Sequence, residues 1–465
     1  MNRSLWPTGL LMLLLPAVAG AGPRINAPYF PTTATYAEAA VSWFGAVGPN
    51  QNYTDIRVAY TDTELWASLS TFDQWLFNDE AATRTAASLE QWDAATMLVD
   101  TSGVATTPLA SCRRFVGELS TWRPRTDYQA AYVGNGSGWA SAAAGSIVTE
   151  TAWRGDATNT SGAGAEDRGW LVTFRIPYAA LGVSGRPAPG TVWRLGFIVH
   201  DKDSASGAPV TTSWPATLAR DQPSTWGQLG FGLRTYTAPN PPGTRQTVTI
   251  RHNLTGAVVP DAMVGGGSTC GGGDYFNVWG GTNHNASTTL VVQNQNDVAD
   301  WPCFSKIYLD FPLSALPANK VVVSATLTLH QFGGSEPTQA QRSLVQVLTA
   351  AGPWSESTIT WNNAPAPVEN VATSWVDVMP APLPWPGAAR TWDVAWAVSS
   401  AYSTASPVMR LVLYEADGAY HSGKYFTSSD VEEWDAVGRP TLQVVLGDVS
   451  GAAPAAPTNV RIVPP

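Results

Sequence analysis

Polar and apolar residues alternate with a period of two along most of this chain, the signature of half-buried strands. Asp55 to Ser70 reads as two such strands joined by a tight turn at Thr61-Asp62-Thr63. Ala95 to Val99, Trp170 to Ile176 and Trp193 to His200 carry the same pattern. In the second part of the chain it returns at 305–311, 321–330, 344–348, 409–414 and 441–446. The stretch 354–365 reads as a Thr358-Ile359-Thr360 strand between Trp354 and Trp361, stopped by an Asn362-Asn363-Ala364-Pro365 turn. One segment, 78–91, has a helical pattern. Short strands with frequent turn signals and no alternating long helices predict an all-β protein of two consecutive antiparallel β-sandwich domains, jelly-roll-like in style.

Residues 1–21 have a basic start, a short leucine-rich run and small residues before a cleavage point, so they are expected to be a secretory signal peptide. No later stretch approaches the roughly 20 apolar residues of a spanning helix. The expected protein is secreted, extracellular or cell-surface associated. The proline-rich segment 239–246 divides a first domain, 24–238, from a second, 247–448. Residues 449–465 are read as a linker, with a Pro/Ala stretch at 451–457, followed from Thr458 by a segment that resembles the start of a fibronectin type III domain.

Charged residues make up only 13% of the chain and the net charge is -10, which argues against a nucleic-acid partner. Three cysteines are present. Export permits a Cys270–Cys303 disulfide, with Cys112 unpaired; three separate thiols are the alternative. No CxxC or HExxH spacing points to zinc or to a metallohydrolase. Asp201 and Asp203, and the region of Asp261 and Asp274, offer loop carboxylates that could hold a structural calcium, or simply form solvated acidic loops. Gly-x-Ser-x-Gly is missing, and no carboxylate pair stands out, so no catalytic residue is assigned.

The second domain resembles the DNRLRE domain, a secreted β-sandwich grouped with the family 96 carbohydrate-binding modules. The matching pieces occur in the family's order: Pro260-Asp261-Ala262-Met263-Val264, Tyr308 to Pro317, Val322 to Leu329, Trp354 to Pro365, Trp392-Asp393-Val394, and Arg439 to Val444. The glycine-rich insert 265–273 and Tyr308-Leu309 depart from it. The resemblance implies a polysaccharide-associated role, and members of this kind have been linked to alginate.

The first domain is similar to family 9 carbohydrate-binding and DOMON-like sandwiches through Thr61 to Ser70, Trp92 to Thr101, Thr173 to Gly182, Leu195 to Asp203, Ser213-Trp214-Pro215 and Trp226 to Gly230. In family 9 two aromatic rings pinch a sugar, and the resemblance assigns that role to Trp92 and Trp214. The expectation is a non-catalytic polysaccharide-binding protein that uses exposed tryptophans. An adhesion protein, or the binding portion of a polysaccharide-degrading enzyme, is the alternative.

Overall fold

The computed structural model describes residues 22–79, 86–120, 123–155, 157–162, 167–266, 275–295, 304–334, 338–418 and 423–449. The signal segment, the fibronectin-like start, Cys270, Asp274 and Cys303 lie outside the described residues. Cys112 is a buried free thiol.

The described chain is built from strands, as the alternation predicts. A five-stranded antiparallel sheet runs in the order Ala40–Gly48, Gln51–Tyr60, Glu64–Phe72, Gly169–Pro177, Val148–Arg154. Facing it, Val192–Asp201 pairs with Ala94–Asp100 on one side and with Val210–Trp214 and Gly227–Phe231 on the other. Their inward apolar residues, among them Ile56, Val58, Leu69, Met97, Val172, Phe197 and Leu229, form one core.

Two further sheets build the second part. Phe304–Pro312 lies between Asp261–Gly265 and Val408–Glu415, which leads through Ser343–Ala350 to Pro367–Val376. Opposite them, Lys320–Gly334 pairs with Thr441–Asp448 and Ala388–Asp393, and at its end with Lys424–Thr427. A second core, including Leu309, Leu327, Val345, Leu411 and Val444, fills the space between.

A third apolar cluster joins the two parts. Val41, Trp43, Tyr53 and Phe72 from the five-stranded sheet pack against Phe304, Tyr308, Val412 and Tyr414. The strand Gln51–Tyr60 is therefore buried on both faces. Its second face carries Tyr53, Asp55 and Arg57, and each finds a partner across the seam. Asp55 accepts hydrogen bonds from Tyr53 Oη (2.6 Å), Asn294 Nδ2 (3.0 Å) and Tyr414 Oη (3.1 Å), with Arg57 at 3.5 Å. Arg57 also donates to the Ala416 carbonyl. Lys306, 2% exposed, donates to Tyr53 Oη at 2.6 Å and sits 3.5 Å from the Trp361 ring centroid and 3.9 Å from that of Trp43. Burial pushes the Lys306 amine well below its usual range, with Asp55 pulling it back up.

Two local expectations fail. Residues 354–365 form successive turns rather than a strand. The Asn363 side chain supplies the reason: it bonds both Thr360 N and the Thr358 carbonyl while Ile359 N turns back to the Ser355 carbonyl, so local partners replace a ladder. Asn362 then docks onto the first part, accepting from Val47 N (2.9 Å) and donating to its carbonyl (2.8 Å). The helix Ala395–Ser403 goes unread in the sequence; Asp393, one residue before its N-cap Val394, accepts from Ala395 N, and Ala395, Ala397 and Val398 face the core. Of the expected helix at 78–91, only Ala86–Leu89 is helical among the described residues.

Candidate functional site

Among the described tryptophans only two are exposed, Trp385 at 66% and Trp434 at 70%. Both lie on loops at one end of the second sandwich. Trp385 stands in Leu383-Pro384-Trp385-Pro386-Gly387, where three prolines in 382–386 withhold ladder donors and keep the segment out of the sheet. Trp434 opens off the short 3-10 turn Glu433–Gly438. The loops meet where Gly438 packs on Pro386, whose Cβ would lie 3.3 Å from any Cβ placed at 438. Leu383 and Val437, both exposed, extend the surface.

Hydrogen bonds, several of them from the buried Arg439, hold these loops in place. Arg439 donates to Glu433 Oε1 (2.9 Å) and to the Val431 carbonyl (2.6 Å), and Asn253 Nδ2 also reaches Glu433 (2.9 Å). Those hydrogen bonds, Asn253's first, keep the Glu433 carboxyl below its ordinary range. Trp434 Nε1 donates to Glu432 Oε2 at 3.0 Å, which fixes the indole and leaves its face as the contact surface. Behind the other loop, Arg390 donates to the Asp377 and Val378 carbonyls. A fixed aromatic surface of this kind suits ligands with apolar C–H faces, and the carboxylates beside it accept from hydroxyls.

Trp214 does not have the expected role. It is 3% exposed and lies in the first core, opposite Phe197 in the register of Val210–Trp214. Its ring tip fills the space above Gly227, where a Cβ would come within 2.6 Å. The alternation of the strand turns this side chain inward, so no ligand face is left. Trp92 is half-buried, with the Lys202 ammonium 4.8 Å from its ring centroid and that ammonium tied to the Gly207 carbonyl.

The carboxylate expectation leads elsewhere. Asp201 joins Asp73 and Asp93, all buried, with one carboxylate oxygen of each within 4.8 Å of the others. They come from the ends of three strands: Asp73 follows Glu64–Phe72, Asp93 precedes Ala94–Asp100, and Asp201 ends Val192–Asp201. Asp73 accepts from Trp170 Nε1 (3.1 Å) and Trp75 N (3.0 Å), and Asp93 from Phe77 N (2.6 Å) and Lys202 N (2.8 Å). Among the described residues Asp201 Oδ1 has no hydrogen-bond partner, although the Asn52 side chain pulls the Asp201 carboxyl down. Burial first, and the neighbouring carboxylates second, push Asp73 and Asp93 well above their ordinary values and Asp201 up to about 7. Asp203 lies beside the trio and is also raised by burial. A hard divalent cation takes oxygen ligands of this kind and removes the mutual repulsion.

Sequence spacing could not find the trio, since 20 and 108 residues separate its members. The exposed indoles did leave a trace. Trp385 is bracketed by prolines and Trp434 by Glu432, Glu433 and Asp435, contexts that do not belong to a core strand.

Among solved structures, the chain is similar to a family 9 carbohydrate-binding module from Caldicellulosiruptor kristjanssonii in complex with cellotriose. Identity is 16%, the match covers 48% of this chain and 100% of that one, and the TM-score is 0.31. A putative carbohydrate-binding protein from Bacteroides uniformis matches at 15% identity over 45% of this chain and 100% of its own, with a TM-score of 0.30. No curated protein matches the chain. Residues 277–438, which carry both exposed indoles, match carbohydrate-binding module family 96.

Proposed function

We propose that this is an exported, non-catalytic carbohydrate-binding protein that attaches to extracellular or cell-wall polysaccharide through Trp385 and Trp434. One observation carries the reading: the two exposed tryptophans of the described chain occupy adjoining loops inside the segment that matches family 96. Stacking of sugar faces on the indoles supplies the affinity, and the Glu432 and Asp435 side chains orient hydroxyls. Among the described residues no helix is long and apolar enough to cross a membrane. The acidic balance disfavours nucleic acid.

Affinity electrophoresis against plant, algal and microbial polysaccharides tests the site. Trp385→Ala with Trp434→Ala lowers retention on the bound polysaccharide by at least tenfold while the melting temperature stays put. Unchanged retention in a folded double variant removes these residues from the site.

The same reading gives Asp73, Asp93 and Asp201 a structural divalent cation, of which calcium best fits an all-oxygen donor set. It would brace the three strand ends. No sugar contact is assigned to it.

A further inference from the structure

We infer that a second saccharide site, resting on the carbohydrate-binding reading above, lies in the groove between the two sandwiches. The groove encloses about 310 Å³ and takes residues from both parts of the chain, Asn26 to Ala40 and Leu233 on one side and Leu344 to Trp375 on the other. That volume is at the low end of ligand pockets and suits a mono- or disaccharide unit.

Its floor is a closed seam. Gln346 accepts from Val41 N (3.1 Å) and donates to the Ala39 carbonyl (2.7 Å). Asn370 accepts from Asn26 N (2.7 Å) and donates to the Asn26 carbonyl (2.9 Å). These amides are spent on joining the sandwiches, so the floor is preorganised and offers little to an incoming peptide backbone.

The walls differ. Tyr29, Phe30 and Trp375 contribute rings, and Tyr29 is 38% exposed. Tyr29 is fixed by its hydroxyl on Asp62 (2.8 Å) and by the Arg186 guanidinium 4.2 Å from its centroid. Arg342 lies 4.1 Å from the centroid of Trp375 and fixes that ring. Glu38, Thr373 and Ser374 also line the groove, and their side chains make no hydrogen bond among the described residues.

Rings beside unengaged hydroxyls and a carboxylate match a ligand with apolar faces and many hydroxyls. A purely apolar ligand would strip water from Glu38, Thr373 and Ser374 without replacing it, at roughly tenfold in affinity apiece. A phosphorylated ligand would meet the Glu38 carboxylate, and the Arg186 and Arg342 guanidiniums are already held against the Tyr29 and Trp375 rings. A neutral sugar unit meets neither objection.

The test uses the full chain and neutral trisaccharides of β-1,4-linked glucose, mannose and N-acetylglucosamine, followed by isothermal titration calorimetry. Trisaccharide binding persists in the Trp385→Ala/Trp434→Ala variant. It falls at least tenfold with Trp375→Ala, and by a similar factor with Thr373→Ala/Ser374→Ala, a change outside the core that keeps the melting temperature. Trisaccharide binding that vanishes with the indole pair and ignores the groove variants overturns this site and leaves the first one standing. Polysaccharide retention without any trisaccharide binding overturns it too. Loss of neither binding in any variant overturns both sites.

Discussion

The seam between the sandwiches and the loop surface at Trp385 and Trp434 assign residue types against simple expectation. At the seam an aspartate, an arginine and a lysine are sealed from water; on the loops two indoles stand in it. Each arrangement holds because of what surrounds it. Every buried charge at the seam has partners, Asp55 with three hydrogen-bond donors and Lys306 within an aromatic cage. The exposed indoles have hydrogen-bonded loops beneath them, and no described residue covers them. An interior charge satisfied on all sides is architecture, whereas an exposed ring held still without a covering partner is a contact surface.

The largest effect should come from breaking the seam. Asp55→Ala leaves Arg57 buried without its counter-charge and strands the hydroxyl donors of Tyr53 and Tyr414, which predicts a loss of about 3–5 kcal/mol in urea unfolding. Lys306→Met should cost clearly less, because the surrounding rings accept a thioether as readily as a desolvated ammonium. A loss below about 1 kcal/mol for Asp55→Ala would mean that water or rearrangement satisfies the seam, and the comparison would collapse.

Trp214 sharpens the contrast from within one residue type. Trp214→Ala opens a cavity above Gly227 and should cost about 3–5 kcal/mol with glycan retention unaltered, whereas truncating Trp434 should change stability by under about 0.5 kcal/mol. Measuring retention and denaturation on the same variants separates core indole from contact indole.

The difference between these tryptophans also marks how far the sequence could be read. Where alternation marked a strand, as at Ala94–Asp100, Gly169–Pro177 and Val192–Asp201, the strand lies within a residue of the reading, since a half-buried strand has to alternate; other strands, among them Ala40–Gly48, Cys112–Glu118 and Pro367–Val376, went unmarked. The same alternation misled at Gln51–Tyr60, where Asp55 and Arg57 read as a solvent face but meet the other sandwich. A polar stripe looks alike whether water or a matched partner covers it. Trp214 fell for the related reason that Ser213-Trp214-Pro215 has the composition of a loop, although strand parity turns the ring inward. The acidic trio could not be seen at all, because strand ends become neighbours only after the sheets stack.

That trio predicts a smaller, condition-dependent effect. Its carboxyls titrate higher in the folded chain than in the unfolded one, so without a cation the fold binds more protons between about pH 4 and pH 7. Cation-free stability therefore falls as pH rises through that window, and the Asp201 share of the loss levels off above its value of about 7. A bound divalent cation cancels the repulsion. Calcium added to chelator-treated protein should raise the melting temperature by several degrees at pH 7.5 and by little at pH 4.5, and Asp93→Asn should flatten the difference. An equal calcium effect at both values would place the ion elsewhere.

The smallest effect concerns which glycan the indole surface tolerates. The two loops, 377–387 and 428–438, carry Asp377, Asp430, Glu432, Glu433 and Asp435 and no basic residue. Arg390 and Arg439 lie behind them and are engaged with Asp377 and Glu433. A polyuronate laid across Trp385 and Trp434 would meet like charge at every step, whereas a neutral glycan would not. Each exposed pair is worth only about 0.2–1 kcal/mol, so neutralising Asp430 and Asp435 together should improve retention on alginate a few-fold, and less so as salt shortens the screening length. Retention on a neutral polysaccharide should not move. Stronger binding of alginate than of neutral glycans by the unaltered chain would instead mean that the ligand avoids these loops, and with them the indoles.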